Sequence, residues 1–326
     1  VILVVMKTLT WICLVAFLSP LVLMAESPES LRTERDKLMK RGLWRDALNF
    51  HEDKLMSVSD AGSGADLARA TEALGRLNAW GELDGLVERS VAVHPENPSL
   101  LTSAAEIYQN APHAGRVIAG EFERSAGYGR GAFHGDGDET TAVGRHVDTG
   151  FRDHVRSLQL LRQALAQSGT AEEGISAWRE MAEIFMRNDA WKLQTLTPLE
   201  VLPEWGEPGP EGATEGAPMA VDGPVSYVSP PSWEAAENDG QRWRFALAEQ
   251  VRLSPDADME DVMISQRARF SRSQFGVETL SSYGWWRQRD PDSAKGILQV
   301  DTLAEDECLA KTSDGVRRFK LPPDQH

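Results

Sequence analysis

Cysteine is nearly absent from this chain, which holds only Cys13 and Cys308. Cys13 lies inside an N-terminal apolar segment, so removal of that segment leaves Cys308 alone. An exported chain with one thiol has no intrachain disulfide and must take its stability from packing. Basic charge is also in deficit: 34 Lys and Arg stand against 50 Asp and Glu, a formal net charge of -16. Such an acidic surface argues against nucleic acid and anionic membranes as partners. After residue 25 no further apolar run reaches the roughly 20 residues that a membrane span needs. The signatures of catalysis are missing too. No serine sits in Gly-x-Ser-x-Gly, no histidine in His-Glu-x-x-His or His-x-His, and Cys308 has none of the flanking features of a nucleophile. Neither an enzymatic activity nor a cofactor is expected.

What is present begins with an export signal. Lys7 is the only charge before Glu26, and the run Thr8 to Ala25 is apolar apart from a few small polar residues and Pro20. A positive start, a short apolar stretch and a small residue before polar sequence describe a secretory signal peptide, assigned to residues 1-25. Leu23-Met24-Ala25 supplies the cleavage site, Met6 reads as the start, and Val1 to Val5 as an upstream extension. Retention of the same run as a single anchor is the alternative. The remaining chain of about 300 residues is expected in the periplasm or outside the cell.

Beyond residue 27 the helical period dominates, and the expected fold class is all-α, built from TPR-like α-hairpin repeats. Trp44 follows the glycine turn at Gly42, and Trp80 comes 36 residues later, near the roughly 34-residue tetratricopeptide period. Leu67, Ala70, Thr71 and Leu74 occupy large-small-small-large positions. A shift of 34 places Leu101, Ala104, Ala105 and Tyr108 on the same pattern. The small residues let two helices approach closely, and the large ones fill the space beside them. Trp178, Met181, Ala182 and Phe185 repeat the spacing once more, and Pro98 opens a helix where its missing N–H costs nothing. Ser232 is expected to cap a helix carrying Trp233, Trp243, Leu247 and Val251, with a last helix from Met259 to Phe275. The expected layout is repeats at 26-125, a Gly-rich polar loop at 126-150, a helical hairpin at 151-202, a Pro/Gly/Glu-rich linker at 203-231, a helical pair at 232-286 and a polar tail at 287-326, with a weak strand candidate at Gly296 to Thr302. Most of the ten tryptophans fall at repeat positions and are expected in the core, with Trp285-Trp286 the exposed exception.

One cluster carries the residue types of a metal site: His134, Asp136, Asp138, His146, Asp148 and His154, with Glu139 and Asp153 between them. Imidazole and carboxylate are ligands for zinc and other divalent ions. Their spacing follows no tight ligand pattern, and glycines surround them, so a solvated loop is the expectation and a metal-dependent hydrolase the alternative. Gly127-Tyr128-Gly129-Arg130-Gly131 lacks the strand before it and the helix after it that a phosphate loop requires. Asp136-Gly137-Asp138-Glu139 lacks the later ligands of a calcium loop.

Several segments carry a family resemblance. They are His94-Pro95-Glu96-Asn97-Pro98-Ser99-Leu100-Leu101, Val117 to Arg124, Arg156-Ser157-Leu158-Gln159-Leu160-Leu161, Ala190 to Thr197, Ser232-Trp233-Glu234-Ala235-Ala236, Gln241-Arg242-Trp243-Arg244, Gln274-Phe275-Gly276-Val277 and Arg318-Phe319-Lys320-Leu321-Pro322. In this order they resemble the helical N-terminal region of bacterial alpha-2-macroglobulin-like secreted proteins. The resemblance implies an exported protein whose helical region precedes macroglobulin β-sandwich domains, some members adding a Cys-x-Glu-Gln thioester that traps proteases. The chain is expected to stop before those domains, and Cys308-Leu309-Ala310-Lys311 is not that motif, so no trapping chemistry or catalytic residue carries over. The expected role is a protein–protein interaction module that holds a protein or peptide, or a structural spacer for a downstream domain.

Overall fold

A computed structural model describes residues 26–125, 144–187, 193, 195–209, 229–254, 256, 258–275, 304–312 and 315–320. The signal segment, the candidate strand Gly296 to Thr302 and Trp285-Trp286 lie outside them. Nine α-helices occur among the described residues. In chain order they are α1 (Pro28–Lys40), α2 (Trp44–Phe50), α3 (Ser63–Leu77), α4 (Leu83–Val93), α5 (Pro98–Asn110), α6 (Gly150–Gln167), α7 (Ala171–Met186), α8 (Asp239–Leu253) and α9 (Asp258–Phe275). A π-helical turn, His51–Leu55, continues α2, and a 3-10 turn, Trp80–Glu82, leads into α4. No helix among the described residues is long and apolar enough to cross a membrane.

Local chemistry explains most of the boundaries. Ser27 caps α1 through its hydroxyl, which accepts the Ser30 N–H, and Pro28 opens the first turn. Asn97 does the same for α5, its side-chain oxygen taking the Leu100 N–H ahead of Pro98. Thr170 and Glu173 close a reciprocal capping box on α7. At the other ends, Gly42 (φ 75°) and Asn78 (φ 52°) take the left-handed conformation that stops α1 and α3. The expected cap Ser232 does not start α8. Its hydroxyl accepts the Ala235 N–H in an isolated turn, and Asn238 caps the helix by accepting from Gln241. Trp233 therefore packs from a loop, while Trp243 lies on α8.

Each helix packs on its successor from α1 to α9, and α3 also packs on α5, and α5 on α7. Leu67, Ala70 and Leu74 on α3 and Leu101, Ala104, Ala105 and Tyr108 on α5 are all buried in the core that runs from Leu48 to Phe270. The α3–α5 approach is close enough that a Cβ on Gly64 would meet the Ser99 carbonyl oxygen at 2.4 Å.

The all-α expectation needs one correction. Between α5 and α6 the chain forms a three-stranded antiparallel sheet, order β2-β1-β3, from β1 (Ala114–Ile118), β2 (Glu121–Arg124) and β3 (Arg145–Asp148). Val117 pairs with Phe122, and Gly115 with Val147. The strands occupy parts of what the sequence reading gave to a repeat helix and to a Gly-rich loop. Ala119 (φ 52°) and Gly120 (φ 91°) make the two-residue turn between β1 and β2, both in the left-handed conformation that matches the twist of a tight hairpin. A second hairpin pairs β4 (Glu307–Thr312) with β5 (Gly315–Lys320), within the expected polar tail. Of the Pro/Gly-rich stretch, residues 203–209 do not extend freely into solvent. Trp205 stacks on Phe122 of β2 at 3.9 Å, and the Arg152 guanidinium of α6 lies over the Trp205 ring at 4.0 Å. The aromatic side chain supplies apolar area that glycine and proline content hides from a compositional reading.

Candidate functional site

The most heavily connected polar group sits where the inserted sheet meets the helices. Arg124 ends β2, and its side chain is fully buried. It donates to both oxygens of Asp84 on α4 at 2.9 and 2.8 Å, and to both oxygens of Asp153 on α6 at 2.9 and 2.7 Å. The Pro112 carbonyl accepts a further bond at 2.7 Å. Asp153 also accepts from the Thr149 hydroxyl at 2.7 Å and faces His113 Nδ1 at 2.8 Å. Burial works against the charge on Arg124, but the hydrogen bonds to Asp153 and Asp84 outweigh it and raise its pKa. Burial likewise pushes the Asp153 carboxyl up, and the bonds from Arg124 and His113 more than reverse it, holding it below the usual range. A guanidinium so held exchanges no proton. The junction is a clamp that fixes α4, the sheet and α6 to one another. The sequence reading missed Arg124 and His113 in this role. The one signal was the charge alternation of Glu121-Phe122-Glu123-Arg124, a period of two that marks a strand.

Of the proposed metal ligands, His134, Asp136 and Asp138 lie outside the described residues, as do Glu139 and the Gly127 to Gly131 segment. His146 and Asp148 sit on the exposed side of β3, with Val147 buried between them. Asp148 accepts the Gly150 N–H at 2.7 Å and so helps to start α6. His154 is turned into the helix stack. Its ring meets Phe185 of α7 edge-on at 6.2 Å, and burial pushes its pKa down to about 4. His146 and Asp148 thus share a surface that His154 does not join. Among the described residues no three His, Cys, Asp or Glu side chains stand together as a metal site.

Two other features are open to chemistry or to a partner. Glu180 on α7 has its carboxyl held up to about 7, chiefly by burial and then by Glu106 and Glu183, with Arg187 opposing. On the outer side of the first helices lies a shallow cleft of about 270 Å³, lined by Asp36, Met39 and Lys40 of α1, Trp44 of α2, and Arg69 and Glu72 of α3. Trp44 is half-buried there, with the Arg76 guanidinium 5.5 Å from its ring centre. An aromatic and a thioether flanked by both signs of charge suit a peptide side chain better than a small metabolite.

Compared with models of protein families, with curated proteins and with solved structures, the chain matches none of them.

Proposed function

We propose that this chain is an exported α-helical repeat module of the TPR type, which binds a protein or peptide partner along its helix stack. The observation that carries this reading is a ladder of polar contacts at nearly constant sequence separation. Arg32 reaches Asp66, 34 residues on, and Arg45 reaches Glu82, 37 residues on. Arg89 bonds Glu52, Asn97 bonds the Asp60 carbonyl, His94 contacts the Met56 carbonyl and Ser99 bonds the Ala61 carbonyl, at separations of 37, 37, 38 and 38. All six join residues 32–61 to residues 66–99, so they register one helix pair against the next, as neighbouring units of a stacked repeat meet. The burial of Leu67, Ala70 and Leu74 and of Leu101, Ala104 and Tyr108, one period apart, supports the same reading. So does the packing of α3 on α5 and of α5 on α7.

Export rests on the sequence from Met6 to Ala25, and kinship to the helical N-terminal region of macroglobulin-like proteins rests on the segments from His94 to Pro322. In that setting the stack is an appendage that holds a partner, and the cleft beside Trp44 is its first contact point. The test is capture of proteins from the exported fraction by the purified chain and by a Lys40→Glu, Arg69→Glu double variant. Both side chains are exposed, so the fold should be unaffected. The wild type should retain a defined partner, and the double variant should lose at least tenfold of it. Equal retention by both chains would remove the cleft from the reading, and no specific retention by either would remove the interaction role.

A further inference from the structure

The five residues His51–Leu55 wind as a π-helical turn, a form that appears mostly as single turns and often at functional positions. His51 opens the turn. It is 2 % exposed, and neither ring nitrogen has a hydrogen-bond partner. Its neighbours come from each element packed on the turn. Arg35 of α1 and Asp66 of α3 are the charges that act on it, and they are joined to each other at 2.5 Å. Further out, Arg32 of α1 bonds Asp66 and also Asp60 of the loop that leads into α3. Asp36 of α1 pairs with Arg35 and faces outward, and the charged residues Arg45 and Asp46 of α2 are exposed. Glu52, Asp53 and Lys54, on the turn itself, are exposed too. A proton placed on the imidazole thus enters a site with no acceptor, beside a guanidinium whose matching carboxylate is already taken.

We propose that His51 makes the first helix pair acid-labile: on protonation, α1, α2 and the π-helical turn part from α3 while the stack from α4 onward stays closed. The ring is accommodated only as the neutral form. Burial, opposed by Asp66 and reinforced by Arg35, holds its pKa down to about 4, against an ordinary value of 6.5. The sign follows directly. Between about pH 6.5 and 4 the opened segment takes up a proton that the closed one refuses, so opening becomes easier as the pH falls. Opening releases the buried Leu31, Met39, Ala47, Leu48 and Leu55, and of these Leu48 alone belongs to the core that runs on from Leu67 through the later helices, so the rest of that core can stay closed. The cleft beside Trp44 spans α1, α2 and α3, so it comes apart in the same step. A partner held there would be let go in an acidic compartment.

The experiment is hydrogen–deuterium exchange of the full chain by mass spectrometry at pH 7 and pH 5, with times scaled for the intrinsic rates. Protection of residues 28–56 relative to 98–110 should fall on the order of tenfold at pH 5. In His51→Phe the ratio should be the same at both pH values, since an apolar ring of similar shape leaves no unpaired polar atom. An equal fall in that variant, or no fall in the wild type, would overturn the proposal. Should far-UV circular dichroism show that the variant does not fold, the imidazole of His51 can be followed by NMR in the wild type. A closed-state signal that stays neutral to pH 5 supports the device, and titration near 6.5 sinks it.

Discussion

Between α1 and α5 successive helix pairs are tied at their surfaces, whereas between α5 and α8 they are tied through the core. In the first region small residues bring the helices together, and the ladder of Arg45–Glu82, Arg89–Glu52 and Asn97–Asp60 contacts runs along the outside. In the second, rings replace the ladder. Trp178 lies 5.8 Å from Trp233 and 5.6 Å from Phe245, Phe185 lies 6.3 Å from Trp233, and Trp243 lies 4.8 Å from Phe270 of α9. Arg124 joins the two regions at the inserted sheet. The contrast shows what an insertion does to a repeat. Once the sheet and the 187–238 connection interrupt the period, neighbouring pairs no longer present the same residues at the same spacing, and bulky side chains fill the uneven gaps.

The largest effect should come from breaking the link between the regions. Arg124→Ala leaves the buried Asp153 and the half-buried Asp84 without their common partner. Removing one member of a buried ion pair costs about 3–5 kcal/mol, and Asp153 is left with only Thr149 and His113 as partners. Urea unfolding should show a loss of that size, together with a broadened transition as the ladder-held part separates from the ring-held part. A sharp transition with a loss below about 1 kcal/mol would mean that the two regions do not depend on the clamp.

The next effect separates the regions by pH. Although part of His154 reaches the surface, its imidazole packs against Phe185, and burial holds its pKa to about 4. The fold therefore keeps the neutral ring. Its contribution is complete above the unfolded value near 6.5 and is lost as the pH falls toward 4. At pH 5 the loss is about 2 kcal/mol. Glu180, held up to about 7, works with the opposite sign over about pH 4.5 to 7, so the useful quantity is a difference. The stability gap between wild type and His154→Gln, read from urea midpoints, should move by about 2 kcal/mol in favour of the variant between pH 7 and pH 5. A gap that stays constant would show that His154 titrates as an exposed histidine.

The same division governed what the sequence disclosed. Leu67, Ala70 and Leu74 and their counterparts 34 residues on were readable because one repeated environment selects one repeated pattern, and all are buried as expected. Thr71 was readable too, although it is only half-buried and its hydroxyl turns back to the Leu67 carbonyl. The sheet was not readable. Its pairings join residue 114 to 148 and 117 to 122 across a turn of Ala119-Gly120, which lacks the Asn-Gly or Asp-Gly pair that announces a type I′ hairpin. The Arg124 clamp was hidden for a related reason: Asp84, Arg124 and Asp153 are 40 and 29 residues apart, and no local spacing foretells that meeting. The six proposed metal ligands were grouped by proximity in sequence. The turn into α6 sends His154 inward, away from the face of β3 that carries His146 and Asp148.

That hairpin offers a smaller test within the ring-held side. Ala119 holds φ at 52°, a conformation that costs an ordinary residue about 1 kcal/mol and asparagine less. Ala119→Asn should raise the unfolding free energy by about 0.5–1 kcal/mol, measured by urea denaturation, because it restores the Asn-Gly turn. A loss of stability instead would mean that Ala119 makes a contact worth more than the strain.

The smallest effect should fall on the contacts that trace the repeat most visibly. Arg45 and Glu82 meet twice, at 2.8 and 2.9 Å, yet both side chains are about half exposed. An ion pair in that setting contributes about 0–1 kcal/mol, since water screens the charges and two long side chains must be held still. Arg45→Gln and Glu82→Gln, alone and together in a double-mutant cycle, should give a coupling below about 0.5 kcal/mol that vanishes at 1 M salt. The ladder would then be a register mark rather than a source of stability, with the work of holding α2 to α4 left to Leu48, Leu74 and Leu83 beneath it. A coupling above about 1.5 kcal/mol would instead make the surface contacts, and not only the core beneath them, a source of the stability of the first pairs.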